Sequence, residues 1–93
     1  MVKREGKVKN GYGIHCRPSS VVAMSIKGYT GKISVFNSKG QEADPRSILA
    51  LLSLTLTCGD AFSVVVEGPD EAEVCDRVVQ ALEKEYDFQR KEQ

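Results

Sequence analysis

The chain carries one histidine, His15, set in Gly13-Ile-His-Cys-Arg-Pro18 between a glycine-rich stretch, Gly11-Tyr-Gly13, and the apolar periodicity of a helix. A helix N-terminus offers unpaired backbone N–H groups and the positive end of the dipole, which attract an anion and disfavour an imidazolium. An imidazole held there stays neutral near pH 7 and keeps a lone pair for nucleophilic attack. Arg17, two residues on, can present a planar fork of donors that matches phosphate oxygens. Loop, helix start, neutral ring and guanidinium together describe a site able to carry a phosphoryl group for a short time. A lone histidine beside a turn is also an ordinary surface residue, and the residue types leave both readings open.

Other chemistries find less support. Cys16, Cys58 and Cys75 are an odd number of thiols without a C-x-x-C pair, so neither a disulfide framework nor a zinc site is suggested, and no metal or cofactor is expected. A reducing cytoplasm suits them. Cys16 stands at a helix start that could lower its pKa and make it reactive, yet a Cys16/His15 nucleophile pair is weak because neighbouring side chains rarely converge. A small hydrolase acting on acyl phosphates is the corresponding enzyme reading, and it predicts turnover without partners.

Thirteen basic and thirteen acidic residues give a net charge of zero, which removes the basic footprint of a nucleic-acid-coating protein. The balance conceals a split, with nine basic and three acidic side chains over 1–46 against four and nine over 67–93. A site in the first half would therefore draw acidic partners or anions. Ile48 to Leu52 is the longest apolar run, far short of the roughly 20 residues that span a bilayer, and Met1 to Gly6 lacks the apolar segment of a signal peptide. The expectation is a cytoplasmic chain without membrane insertion.

The elements that must position these residues follow from periodicity. Val2 to Val8 reads as a strand. Pro18, Val21, Val22, Ile26 and Tyr29 fall on one helical face, Gly28 and Gly31 stop that helix, and Pro18 suits its first turn because the missing N–H would have been unpaired anyway. Lys32 to Asn37, the turn Ser38-Lys-Gly40 and a return strand from Gln41 to Asp44 form a hairpin closed by Asp44-Pro45. Ser47 can cap a second helix running from Ile48 to about Leu54. Leu51 and Leu54 share one side of it, while Ile48, Leu49 and Leu52 share another. That second side is surplus to one core and reads as a contact patch rimmed by Lys27 and Arg17, although scattered exposed apolar residues need no such role. Phe62 to Val66 is a β-branched run expected at the centre of its sheet. Asp70-Glu-Ala-Glu73 has the form of a capping box, followed by Cys75, Val78, Val79, Leu82 and Tyr86 on one face of a long last helix. Ninety-three residues suffice for one core, so residues 1–88 are expected to form a single domain and 89–93 a frayed tail. The order strand-helix-strand-strand-helix-strand-helix predicts an α+β open-faced sandwich, a four-stranded antiparallel sheet with three helices on one face.

Gly13-Ile-His-Cys-Arg-Pro-Ser-Ser20 closely resembles the G-[LI]-H-x-R-P-[AS] signature of HPr, the histidine-containing phosphocarrier family of the bacterial phosphotransferase system. Arg46 to Leu54 resembles the family's regulatory-serine helix, and Gly68 to Glu73 resembles the start of its last helix, each at the expected distance from the histidine. The resemblance implies that His15 accepts a phosphoryl group from phosphorylated enzyme I and passes it to sugar-specific IIA domains. It makes Arg17 the electrostatic partner, with Gly13 and Pro18 shaping the site. It implies that Ser47 is the regulatory serine phosphorylated by an ATP-dependent HPr kinase/phosphorylase, although capping alone would also explain that serine. The alternative is a regulatory-only member read through Ser47. A carrier that meets several partners in turn is expected to be monomeric. The chain departs from the family pattern at Cys16, where alanine or threonine is commoner, and at Ala50 and Thr55, where glycines are frequent. The last of these leaves the exit of the second helix open.

Overall fold

The computed structural model describes residues 1–9 and 16–84, and of Cys16 and Arg17 only the backbone. In chain order the elements are β1 (Val2–Lys7), α1 (Cys16–Ser25), β2 (Lys32–Asn37), β3 (Glu42–Ala43), α2 (Ile48–Ser53), β4 (Ala61–Glu67) and α3 (Glu71–Glu83). The strands form one antiparallel sheet in the order β1-β4-β2-β3, with Val2 opposite Val66 and Val35 opposite both Val64 and Ala43. β4 is therefore central, as its β-branched run predicts. Among the described residues only one of its faces is covered. Phe62, Val64 and Val66 are buried beneath the helices, whereas Ser63 and Val65 on the open face are half-buried. This is the expected four-stranded sheet with three helices on one side.

β1 and β2 both run antiparallel to β4, so they are parallel to each other, and α1 makes the crossover between them. Because parallel strands cannot be joined by a tight turn, the intervening chain must pass over a face of the sheet. It carries Val22 and Ile26 into a core that includes Ile33, Val35, Leu51, Leu54, Val74, Cys75, Val78 and Leu82. The hairpin between β2 and β3 turns at Gly40, whose φ of +83° is the left-handed conformation glycine adopts without cost. Asn37 holds that turn by accepting from the amides of Lys39 and Gln41, each at 3.0 Å. The paired part of the return strand is shorter than expected, Glu42 and Ala43 alone.

Three expectations need correction. Val21 is 39% exposed, so the buried residues of α1, among those described, are Pro18, Ser19 and Val22, with Ile26 buried just past its end. The Asp70 capping box does not form. Asp70 sits at φ 50°, ψ 38°, and its side chain makes no cap bond, because a side-chain cap needs an extended residue at that place. Its carbonyl accepts from Val74 N at 2.9 Å, while the Glu71 carboxylate takes the Gly68 amide at 3.1 Å and the terminal ammonium of Met1 at 2.7 Å. Finally, Val79 packs half-buried against the core as its place on that face implies, but Val74, not singled out by periodicity, is also buried, at 5% exposure. Tyr86 and the tail 89–93 lie outside the described residues.

Candidate functional site

Helix α1 opens at Cys16, the residue that follows His15. His15 and Gly13 themselves lie outside the described residues, as does the Arg17 side chain, whose backbone is the second residue of α1. The described residues on both sides of 10–15 are anchored. On one side Val8 donates to the Asp60 carbonyl at 2.9 Å and accepts from Gly59 N at 2.8 Å, which ties the end of β1 to the turn before β4. On the other, Pro18 is the third residue of α1 and is buried, within the first turn where no N–H is required. Ser19 next to it is fully buried, and its Oγ has no hydrogen-bond partner among the described residues.

Ser47 caps α2. Its extended backbone (φ −99°, ψ 115°) lets Oγ accept from Ala50 N at 3.2 Å, and its carbonyl accepts from Leu51 N at 3.0 Å. The side chain remains exposed. The cap is set by the turn before it, where Ser47 N donates to the Asp44 carbonyl at 3.0 Å and Arg46 N to Asp44 Oδ1 at 2.9 Å. The Arg46 guanidinium pairs with the Asp44 carboxylate at 2.7 Å and reaches the carbonyls of Tyr29 and Gly31 at 2.8 and 2.9 Å. This pairing holds the Asp44 carboxyl below its ordinary range and pushes Arg46 up. Sequence reasoning treated Arg46 as part of a motif and missed this function, which joins the start of α2 to the exit of α1. The signal was an arginine two residues after Asp44 in an Asp-Pro turn.

The expected division of α2 holds. Leu51 and Leu54 are buried at 0% and 2%, whereas Ile48 and Leu49 are 38% and 80% exposed and Leu52 is half-buried. Helix α1 packs against α2 and adds two exposed apolar residues, Met24 at 69%, which the sequence reading did not single out, and Val21 at 39%, which it had placed on the buried face. They stand three residues apart, on the side away from Val22 and Ile26, and that spacing was the available signal. Lys27 follows α1 and is exposed. Val21 and Met24, with Ser20 and Ser25, line a shallow depression.

Among the described residues no three His, Cys, Asp or Glu side chains are grouped to hold a metal, and no helix is long and apolar enough to cross a membrane. Cys75 is buried, which pushes its thiol pKa up, and Cys58 is exposed; the Cys16 side chain lies outside the described residues.

The family model described as the PTS HPr component phosphorylation site matches residues 2–84. The chain belongs to the HPr family of phosphocarrier proteins. The phosphocarrier protein HPr of Mycoplasma pneumoniae is 32% identical over 84 residues, covering 90% of this chain and 96% of that protein. The HPr-like protein Crh of Halalkalibacterium halodurans is 28% identical over 85 residues, 91% of this chain and all of that one. Among solved structures, HPr of Thermoanaerobacter tengcongensis superposes with a TM-score of 0.80 at 25% identity, covering 89% of this chain and 92% of that one. The HPr match extends from β1 through the last residue of α3, so every element described above belongs to the family's domain.

Proposed function

We propose that this HPr-family chain carries phosphoryl groups on His15, taking them from phosphorylated enzyme I and passing them to IIA domains of sugar permeases. The observation that supports this reading is a family match over residues 2–84 combined with a histidine one residue ahead of a ten-residue helix. An unprotonated ring nitrogen attacks the donor's phosphorus, a nitrogen–phosphorus bond forms as the bond to the donor breaks, and the acceptor's nucleophile later reverses the exchange. Such a transfer asks mainly for positioning and charge stabilisation, so one ring at a helix N-terminus suffices while the larger partners supply the rest. Arg17 offsets phosphoryl charge, Gly13 permits close approach and Pro18 keeps the helix start free of a competing donor. Partners of this kind work in the cytoplasm.

Ser47 is the regulatory position in this proposal, modified by an ATP-dependent HPr kinase/phosphorylase. A phosphate there adds about −1.5 to −2 charge beside Ile48, Leu49 and Leu52, the patch that acidic partner surfaces would cover with Lys27 at its rim. The likeness to Crh favours a second reading, in which the chain is regulatory only and responds through Ser47. The two separate on incubation with enzyme I and labelled phosphoenolpyruvate, alongside His15→Ala. Acid-labile label on the wild type and none on the variant supports the carrier. Equal labelling of both refutes His15, and labelling only by ATP and kinase at Ser47 supports the regulatory protein.

A further inference from the structure

Arg46 precedes Ser47 in the chain, yet every nitrogen of its guanidinium is engaged elsewhere. Nε donates to Asp44 Oδ1 and Oδ2 at 2.9 and 3.2 Å, Nη2 donates to Asp44 Oδ2 at 2.7 Å, and Nη1 donates to the Tyr29 and Gly31 carbonyls at 2.8 and 2.9 Å. These acceptors sit on fixed backbone. The Tyr29 hydroxyl is bonded to the Pro69 carbonyl at 2.7 Å, and a Cβ on Gly31 would fall 2.6 Å from both the Glu67 carbonyl and the Tyr29 ring. Asp44 is fixed as well, since its carbonyl accepts from Ser47 N and its Oδ1 from Arg46 N.

We propose that Asp44 withholds Arg46 from Ser47, so that a phosphate placed on Ser47 keeps its full charge beside the exposed apolar side chains of α2. The proposal rests on Ser47 being the regulatory position. For Arg46 to turn its donor fork to such a phosphate it would have to abandon a forked pair with a carboxylate and leave two carbonyls without their donor, since the second Nη2 hydrogen, the one donor these bonds do not use, cannot form a fork by itself. A charge-assisted pair with phosphate belongs to the same strength class as the one given up, so the exchange yields no surplus to cover the lost carbonyl bonds. Asp44 thereby has a regulatory effect without touching a partner. It sequesters the cation that would otherwise mask the signal, and a partner approaching with acidic groups meets the phosphate uncompensated.

The test uses full-length protein carrying phosphoserine at position 47, installed during synthesis so that no kinase is needed. The NMR resonance of the Arg46 Nε–H group is followed from pH 5 to 8, through the second ionisation of a phosphate at about pH 6. The expected result is a resonance that matches the unmodified protein and stays in place as the phosphate ionises. In Asp44→Asn, which keeps the shape and removes the charge, the same resonance shifts and follows the phosphate. The proposal is overturned if Arg46 follows the phosphate in the otherwise wild-type protein, or ignores it in Asp44→Asn. Phosphoryl acceptance from enzyme I is measured on the same samples. If phosphoserine leaves acceptance unchanged, the regulatory reading of Ser47 fails while the resonance still reports where Arg46 is bound.

Discussion

Thr55 is held in the left-handed region at φ 50°, immediately after the C-cap Leu54 of α2. Its amide donates to the Leu52 carbonyl at 3.1 Å, which ends the helix, and its Oγ1 donates to the Leu54 carbonyl at 2.7 Å. A left-handed backbone costs a side chain with a Cβ roughly 1–2 kcal/mol, and a β-branched one has little rotamer freedom with which to relieve the crowding. Replacing Thr55 by Gly removes that cost. Against it stand the extra freedom of glycine in the unfolded chain, about 0.5–1 kcal/mol, and one hydroxyl bond at an exposed residue, a few tenths of a kcal/mol at about the low end of the usual range. The Leu54 carbonyl keeps the Asn37 Nδ2 donor at 3.2 Å, so it is not orphaned. The difference favours Thr55→Gly by about 0.5 kcal/mol, which in a domain of this size raises Tm by about 2–4 °C. Thr55→Val, equally branched and without the hydroxyl, gains nothing. Urea melts of the three proteins, with unchanged m-values, supply the comparison. A fall in stability for Thr55→Gly, or the same change in both variants, would refute strain at this residue.

Two further predictions concern α2 and its approach. Leu51→Ala should cost about 2–5 kcal/mol because the side chain is fully buried, whereas Leu49→Asp, at 80% exposure, should leave the melt within about 0.5 kcal/mol of wild type and slow phosphoryl exchange with partners; a large loss of stability in Leu49→Asp would contradict its outward placement. The Asp44 carboxyl is held low mainly by its hydrogen bonds to Arg46, so its contribution is complete above the unfolded-state carboxylate value of about 3.9 and is lost as pH falls through the lower folded value. Stability curves should therefore show Asp44→Asn with a shallower acid slope below about pH 4 than wild type, and parallel slopes would show that the pair adds nothing.

The sequence by itself determined the order of the elements, the central place of the 62–66 run, the Ser47 cap and the two-sided character of α2. These are local matters: β-branched runs, a hydroxyl at the first free amides, and apolar spacing all act within a few residues of themselves. His15, Arg17 and Ser47 were singled out as candidates for the same reason, each being marked by its neighbours in the chain. What only the tertiary structure decided concerns pairs far apart in sequence. Arg46 found its acceptors on Tyr29 and Gly31 because α1 and α2 pack side by side. Glu71, and not Asp70, received the Gly68 amide and the Met1 ammonium because the turn out of β4 left Asp70 in a left-handed backbone. Val21 lost its expected burial because the core needs a stripe four residues wide in rhythm, Pro18, Val22 and Ile26, and periodicity cannot say which edge of an apolar face the sheet will cover. Thr55 accepted a conformation its own chemistry disfavours since the packing of α2 over Leu51 and Leu54 fixes where the chain must leave, and packing outweighs the preference of one residue.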